Sequence, residues 1–368
     1  MHNFFLKGCS TFRTQLVRTV KIKKEVTIYD IADKLGVSPA TVSRALKNNP
    51  STSLSTRKKI NALAETMGYR PNPFASSLRS QKTHTIGAIL HELHSNFITS
   101  VLAGIEKIAT EAKYNLIIVH SAENATLEAL NARNLFNKRV DGVIASLSFE
   151  TENLAHFQQF KSKNIPIVFF DRVFENSDEA KVIINNYQAG YDATVHLIDQ
   201  GCKRIAHITS NLKRNVYSER MRGYKQALLD HSLKFEEKLV VIDGFREEDA
   251  TRSANHVLSL KKLPDAIFIT NDFCAAVVMQ VLKDSGIRIP GDIAIVGFNN
   301  DNIGKVVSPK LTTINYPGFK IGQVAAHHLI NHLKGLWDLS LTTTVVVKSE
   351  LIIRESSLKN ANINRKHT

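Results

Sequence analysis

Cysteine is scarce in this 368-residue chain: Cys9, Cys202 and Cys274 are its only three, widely spaced and odd in number. Such usage offers no disulfide framework and fits a reducing, cytoplasmic setting. Nowhere do eighteen apolar residues follow one another, and residues 1–25 lack the apolar centre of a secretory signal, so membrane spanning and export are not expected. No GxxxxGK[ST], no G-x-S-x-G and no GxGxxG after a strand occurs, which removes the usual phosphate cradles and nucleophile elbows. The pairs His91/His94 and His328/His332 have metal-compatible spacing, but no cysteine or carboxylate cluster completes a site. The expectation is a protein without metal or cofactor and without enzymatic chemistry.

Acidic residues are also scarce at the front. Residues 1–80 hold 14 Lys and Arg against 4 Asp and Glu, a net of +10, which leaves only +4 of the total +14 for the remaining 288 residues. A strongly basic end on a nearly neutral body is the electrostatic footprint of a nucleic-acid reader.

That basic end reads as three short helices. Thr27 and Asp30 have capping-box spacing, and Ile28, Ile31, Ala32 and Leu35 form one apolar stripe that stops at Gly36. Ser38 is positioned to cap a second helix with Pro39 in its first turn, burying Val42, Ala45 and Leu46 and leaving Thr41, Ser43, Arg44 and Lys47 outside. Ser53 opens a third, whose Ile60, Leu63, Ala64 and Met67 face the others before Gly68 ends it. The pattern is a helix-turn-helix with a supporting helix; the plainer reading is a small interaction module, and the charge favours DNA. Asn72 and Pro73 then start a helix of about seven residues, too short to be stable alone.

The run V-T-I-Y-D-I-A-D-K-L-G-V-S-P-A-T-V-S-R-A-L, followed by Y-R-P-N-P-F-A-S-S-L-R, resembles the head and hinge of the lactose/galactose repressor family of bacterial transcription regulators, and the similarity runs from about residue 26 to 356. The resemblance implies that the second helix lies in the major groove of a double-stranded DNA operator, with Ser38, Pro39, Ala40, Thr41, Ser43 and Arg44 at recognition positions. Pro39 and Ala40 lack hydrogen-bonding side chains, so contact there would be apolar, as with a thymine methyl. Thr27 and Tyr29 match phosphate-positioning places, which set register. It further implies that Asn72, Phe74, Ala75, Leu78 and Arg79 form a hinge helix that pairs with that of a second subunit in the minor groove, Leu78 acting as the wedge. The partners implied are operator DNA, a small-molecule effector such as a sugar or sugar derivative, and a second copy in a homodimer.

From Thr83 onward apolar runs alternate with amphipathic segments: TIGAIL (85–90), NLIIVH (115–120), DGVIASL (141–147), IPIVFF (165–170), RIAHIT (204–209), DAIFIT (265–270) and DIAIVGF (292–298), with helical stretches such as 97–113 and 271–285 between them. Short apolar strands separated by helices argue for parallel sheets covered on both faces. So many units exceed one sheet, and two doubly wound lobes with a ligand cleft at the strand C-terminal ends follow. The fold class expected is α/β: a three-helix head and hinge helix, then a two-lobed core like periplasmic binding proteins. The family implies chain crossings between the lobes near Asn185 and Thr313.

Polar residues gather just past those strands: Asp171 and Arg172, Asn271 and Asp272, Asn299 and Asn300, with Arg214 and Arg220 after RIAHIT. Taken singly each is more often a turn or surface group; their shared position raises the joint reading. The family pattern R-x-x-G-aromatic is met by Arg220 to Tyr224, and Asn96 and Phe97 fall where the family stacks a ligand ring. Asn299 stands where the family commonly has an aspartate, which beside Arg214 and Arg220 would favour an anionic effector.

The organisation expected is an N-terminal extension (1–25), disordered or preceding the true start; a DNA-binding head (26–71); a hinge and linker (72–83); an effector-binding and dimerisation core (84–356); and a disordered tail (357–368). A periplasmic-type binding protein explains only the core, and a doubly wound enzyme lacks catalytic residues.

Overall fold

Thr27 starts helix α1 (Ile28–Leu35) by a reciprocal cap: its Oγ1 accepts from the Asp30 amide, and its own amide donates to Asp30 Oδ2 at 2.7 Å. Gly36, with φ of +62°, closes α1 in the left-handed region that a side chain resists. Ser38 caps α2 (Pro39–Leu46) through the Thr41 amide, and Ser53 caps α3 (Leu54–Thr66) through the Thr56 amide. Ile31, Ala32, Val42, Ala45, Ile60 and Ala64 are buried among the three helices. Each belongs to an apolar stripe read from the sequence.

The structure is a computed structural model that describes residues 25–70, 82–174, 177–341 and 343–359. The chain divides into two units, residues 1–81 and 82–368. The hinge positions Asn72, Phe74, Ala75, Leu78 and Arg79 lie outside the described residues.

The second unit has two lobes. The first is built on β1 (Thr85–Leu90), α4 (Asn96–Glu111), β2 (Asn115–His120), α5 (Ala125–Asn137), β3 (Gly142–Ala145), α6 (Gln158–Lys161), β4 (Ile167–Phe170) and β5 (Ala180–Ile184). The second comprises α7 (Asn186–Asp199), β6 (Ile205–Thr209), α8 (Asn215–Asp230), β7 (Val240–Ile242), α9 (Glu247–Leu258), β8 (Ala266–Ile269), α10 (Asp272–Asp284), β9 (Ala294–Asn299), α11 (Ile303–Val306) and β10 (Thr312–Asn315). The chain returns to the first lobe with α12 (Gly318–Leu333) and β11 (Thr344–Val347), and to the second with β12 (Glu350–Ile352).

Each lobe holds a six-stranded sheet, in the orders β11-β5-β4-β3-β1-β2 and β12-β10-β9-β8-β6-β7. Among the described residues every strand pairing is parallel except β10 with β12. The central strands are fully buried, as continuous Val/Ile/Phe runs require in a sheet covered on both faces. β2 departs from that expectation: it is an edge strand, and Ile118 is 44% exposed.

Among the described residues the chain crosses between the lobes three times. The first falls at Asn185, which caps α7. The second lies just after Asn315, two residues beyond Thr313, which is still paired with Gly297 of β9 and Ile352 of β12. A third, at residues 348–349 between β11 and β12, carries no apolar run of its own and was not foreseen. Two helix pairs, α4 with α12 and α7 with α8, close against one another one in each lobe.

Candidate functional sites

In the head, the positions matched to phosphate and base contact lie on or beside α1 and α2. Thr27, Tyr29, Ser38, Ala40 and Arg44 are exposed, while Pro39, Thr41 and Ser43 are half-buried. Tyr29 stands out because a largely exposed aromatic side chain at the start of α1 contributes nothing to the head's own core. Two hydroxyls serve the fold as well: Ser38 Oγ is 2.9 Å from Thr41 Oγ1 within the α2 cap, and Thr27 Oγ1 donates to Asp30 Oδ2 at 2.7 Å.

In the core, the C-terminal ends of β3 and β4 meet α8 and the end of β10. Asp171 follows β4 with φ of +59°, an unfavourable backbone region for a non-glycine residue that marks a position fixed by its surroundings. Its Oδ1 accepts from the Tyr316 hydroxyl at 2.6 Å, and its Oδ2 lies 3.5 Å from Ser146 Oγ, which in turn contacts His91 Nδ1 at 2.9 Å. Burial pushes the Asp171 carboxyl up from its ordinary value, and Arg172, Tyr316 and Arg220 oppose that. Burial, with Arg172 adding to it, holds His91 well below the usual histidine range, so His91 is neutral.

Three arginines are buried at the lobe boundary, and two of them, Arg172 and Arg220, act on Asp171. Arg172 Nη1 donates to both oxygens of Glu123 at 2.7 and 2.8 Å, and its guanidinium stacks 4.0 Å from the Phe149 ring. Arg214 donates to the carbonyls of Phe149 and Thr151, tying α8 of the second lobe to the loop after β3. Arg220 donates through Nε to Asn186 Oδ1 at 2.9 Å and lies 3.5 Å from the Phe298 ring. Asn215 completes the lobe contact, donating to the Asp171 carbonyl at 3.1 Å and accepting from the Val173 amide at 3.0 Å. Buried charges of this kind persist only where partners replace water, and here the partners come from both lobes.

Two cavities flank this network. One, of about 510 Å³, is lined by residues including Leu154, Val173, Phe174, Lys213 and Asn215. The other, of about 370 Å³, has Asn96, Phe97, Asn299, Asp301 and Tyr316 in its wall. The structure therefore brings Asp171 and Arg220 together about Tyr316, sets Arg214 against the loop after β3, and brings Asn96, Phe97 and Asn299 into one cavity.

Three of the residues read from the sequence sit otherwise than expected. Asn271 caps α10, accepting from the Cys274 amide at 2.9 Å. Asp272 is fully buried, and its two oxygens accept from Thr313 Oγ1 and the Asp301 amide, both at 2.8 Å. Its carboxylate holds the turn after β9 and offers nothing to the cleft. Asn299 bonds through its side chain to Asp301 and lines the smaller cavity. Arg220 faces Asn186 and Phe298, the chain neighbour of Asn299, while Arg214 faces the first lobe. Sequence reasoning missed Tyr316, Tyr217, Phe149 and Glu123; the runs NLIIVH and DGVIASL end just before Glu123 and Phe149 and could have signalled those two, whereas TTIN before Tyr316 does not read as a strand.

The Asp272–Asp301 pair makes a pH prediction. Burial pushes Asp272 up to about 7, with Asp301 adding to it, and burial pushes Asp301 up to about 6. Both carboxyls hold their protons more tightly folded than unfolded. Their contribution is therefore fullest below about pH 4 and is lost as pH rises through 6 to 7. Asp301→Asn should lose less stability than wild type between about pH 5 and pH 8, by on the order of 2 kcal/mol in urea unfolding. Parallel stability curves for the two proteins would show that the pair is not protonated in the fold.

A helix-turn-helix joined in one chain to a two-lobed core with a polar interlobe network defines a ligand-responsive DNA-binding regulator. Residues 27–72 match the bacterial regulatory proteins of the lacI family, and residues 83–354 match the periplasmic binding proteins and sugar binding domain of the LacI family. The chain belongs to the LacI family of DNA-binding transcriptional regulators. It is 35% identical over 309 residues to catabolite control protein A of Priestia megaterium, covering 84% of this chain and 92% of that protein. It is 31% identical over 336 residues to the transcriptional repressor PurR of Vibrio atlanticus, covering 91% and 99%. Among solved structures, the lac repressor dimer bound to operator and the anti-inducer ONPF shares the fold with a TM-score of 0.82 at 22% identity, covering 91% of this chain and 100% of that one. The regulator CelR in complex with cellobiose matches with a TM-score of 0.68 at 25% identity, covering 90% and 100%. Among the described residues, no helix is long and apolar enough to cross a membrane.

Proposed function

We propose that this regulator acts as a repressor in the cytoplasm, has no enzymatic activity, and binds its operator as a homodimer whose affinity is set by a sugar or sugar derivative held between the two lobes. The observation that carries this reading is the network at the strand C-terminal ends, where Asp171 of the first lobe is bonded to Tyr316 and Asn215 and Arg214 reaches back across the cleft. A ligand that alters these bonds changes the angle between the lobes. That change reaches the operator as a coupling free energy, typically ~1 to 3 kcal/mol. The dimer reading is supported by the likeness to the lac repressor dimer bound to operator.

The test is a gel-shift titration on the gene's own upstream DNA with a panel of neutral sugars, sugar acids and sugar phosphates. Arg220→Lys keeps a cation but loses the planar guanidinium held between Asn186 and Phe298. It should bind the operator as wild type does while its response to the active compound shifts by about tenfold or more in concentration, some 1.4 kcal/mol. A variant with full response would place the effector elsewhere.

A further inference from the structure

We propose that Tyr316 occupies the place a sugar ring would take, acting as an internal stand-in that an effector must displace. The inference rests on the reading of Asp171 and Arg220 as the effector site and goes beyond it.

Tyr316 lies in the crossing segment between β10 and α12 and is 5% exposed. Its ring stacks on Phe97 of the first lobe at 4.0 Å and 19° between planes, and meets Phe298 of the second edge-on at 5.8 Å and 89°. The guanidinium of Arg220 lies 5.4 Å from the ring centre. The hydroxyl at the far end of the ring donates to Asp171. A flat six-membered ring resting on an aromatic face, with a hydroxyl on a buried carboxylate and a guanidinium alongside, presents the groups by which a pyranose is held in a protein cleft.

The local sequence builds this placement. A Cβ at Gly318 would come within 2.7 Å of the Phe97 carbonyl and 3.2 Å of its ring, so only glycine lets the crossing segment approach α4 closely enough for the two rings to stack. The Gly318 amide also donates to the Tyr316 carbonyl at 2.8 Å, fixing the turn. Tyr316 thus answers Phe97 and Asp171 from the first lobe and Phe298 and Arg220 from the second. A ring that takes its place must break the Tyr316–Asp171 bond, so ligand entry and the lobe linkage are one event. The side chain competes with every ligand and selects for those that replace both its stacking and its hydroxyl.

The experiment is calorimetric titration of the full chain with D-glucose, D-galactose, D-mannose, D-xylose, D-ribose, gluconate and glucose 6-phosphate, comparing wild type, Tyr316→Ala and Tyr316→Phe. Tyr316→Ala should bind at least one of these about tenfold or more tightly than wild type, a gain that Asp171→Asn in the same background removes. Tyr316→Phe, which keeps the ring and loses only the hydroxyl, should gain less. Should Tyr316→Ala fail to fold, Tyr316→Leu, which keeps apolar bulk without a ring, takes its place with the same expectation. Equal affinities in wild type and Tyr316→Ala, or no binding by either, overturn the stand-in. If both bind equally and Asp171→Asn abolishes it, the effector site stands and only the role of Tyr316 falls; binding indifferent to Asp171→Asn and Arg220→Lys overturns the site as well.

Discussion

Gly322→Ala is expected to cost about 3 kcal/mol of stability or more, the upper range for overpacking, because the added methyl meets backbone and not a side chain that can turn away. A Cβ at Gly322 would lie 2.0 Å from the Val101 carbonyl oxygen, and one at Gly104 would lie 2.1 Å from that of Phe319. Relief requires α4 and α12 to separate, and between them lie Val101, Ile105, Ile321 and Ala325, all buried in the largest apolar cluster. The second lobe repeats the device: a Cβ at Gly223 would approach the Tyr187 carbonyl oxygen to 2.1 Å, and one at Gly190 the Arg220 carbonyl oxygen to 2.3 Å. Gly201→Ala is the control. It has φ of +84° but nothing within 4 Å of the added methyl, so its cost should be only about 1 kcal/mol. Urea unfolding of the two variants separates the mechanisms; equal losses at positions 322 and 201 would show that the helix pair relaxes freely.

Much of this architecture was legible in the sequence because its signals are local. A cap needs only the right side chain three residues from its amide, so Thr27, Ser38 and Ser53 mark their helices without tertiary information. The runs TIGAIL and NLIIVH became strands at the residues read. What was not legible depends on partners distant in the chain. The strand AKVII (180–184) contains Lys181, whose charge breaks the apolar run, yet the residue is buried with its ammonium donating to the carbonyls of Phe174 and Ser177. VVI and ELI are too short to register as strands by pattern. In the cleft, a strand end marked Asp171 and the R-x-x-G-aromatic pattern marked Arg220, which lies within α8, but which carboxylate joins the interlobe network and which holds a turn is decided by packing. Asp272 looks like Asp171 in sequence, and only Thr313 and the Asp301 amide, neither beside it in the chain, reveal its different task.

Operator affinity is expected to fall by about three orders of magnitude or more between about 50 and 200 mM salt, as for a protein that neutralises roughly six to ten phosphates. The charge distribution motivates the size of the effect: ten of the fourteen net positive charges lie in residues 1–80, so the steering field is concentrated on the part that meets DNA. The slope belongs to the phosphates and carries no sequence information, which allows the two classes of head residue to be told apart. Arg44 is an exposed residue on α2, and the sequence resemblance implies a recognition position there. If it reads a base edge, Arg44→Ala should cost about 1 to 3 kcal/mol on the preferred site and reduce the preference over random duplex, leaving the salt slope nearly unchanged. Tyr29, exposed at the start of α1 and matched to phosphate contact, should behave differently: Tyr29→Phe weakens binding to preferred and random DNA alike, by about 1 kcal/mol for one lost hydrogen bond. Fluorescence titrations across a salt series, on upstream DNA and on random duplex, give both quantities at once. Affinity that is flat with salt removes the phosphate argument. An Arg44→Ala protein that loses affinity equally on both duplexes with a shallower slope would move Arg44 from base reading to backbone contact.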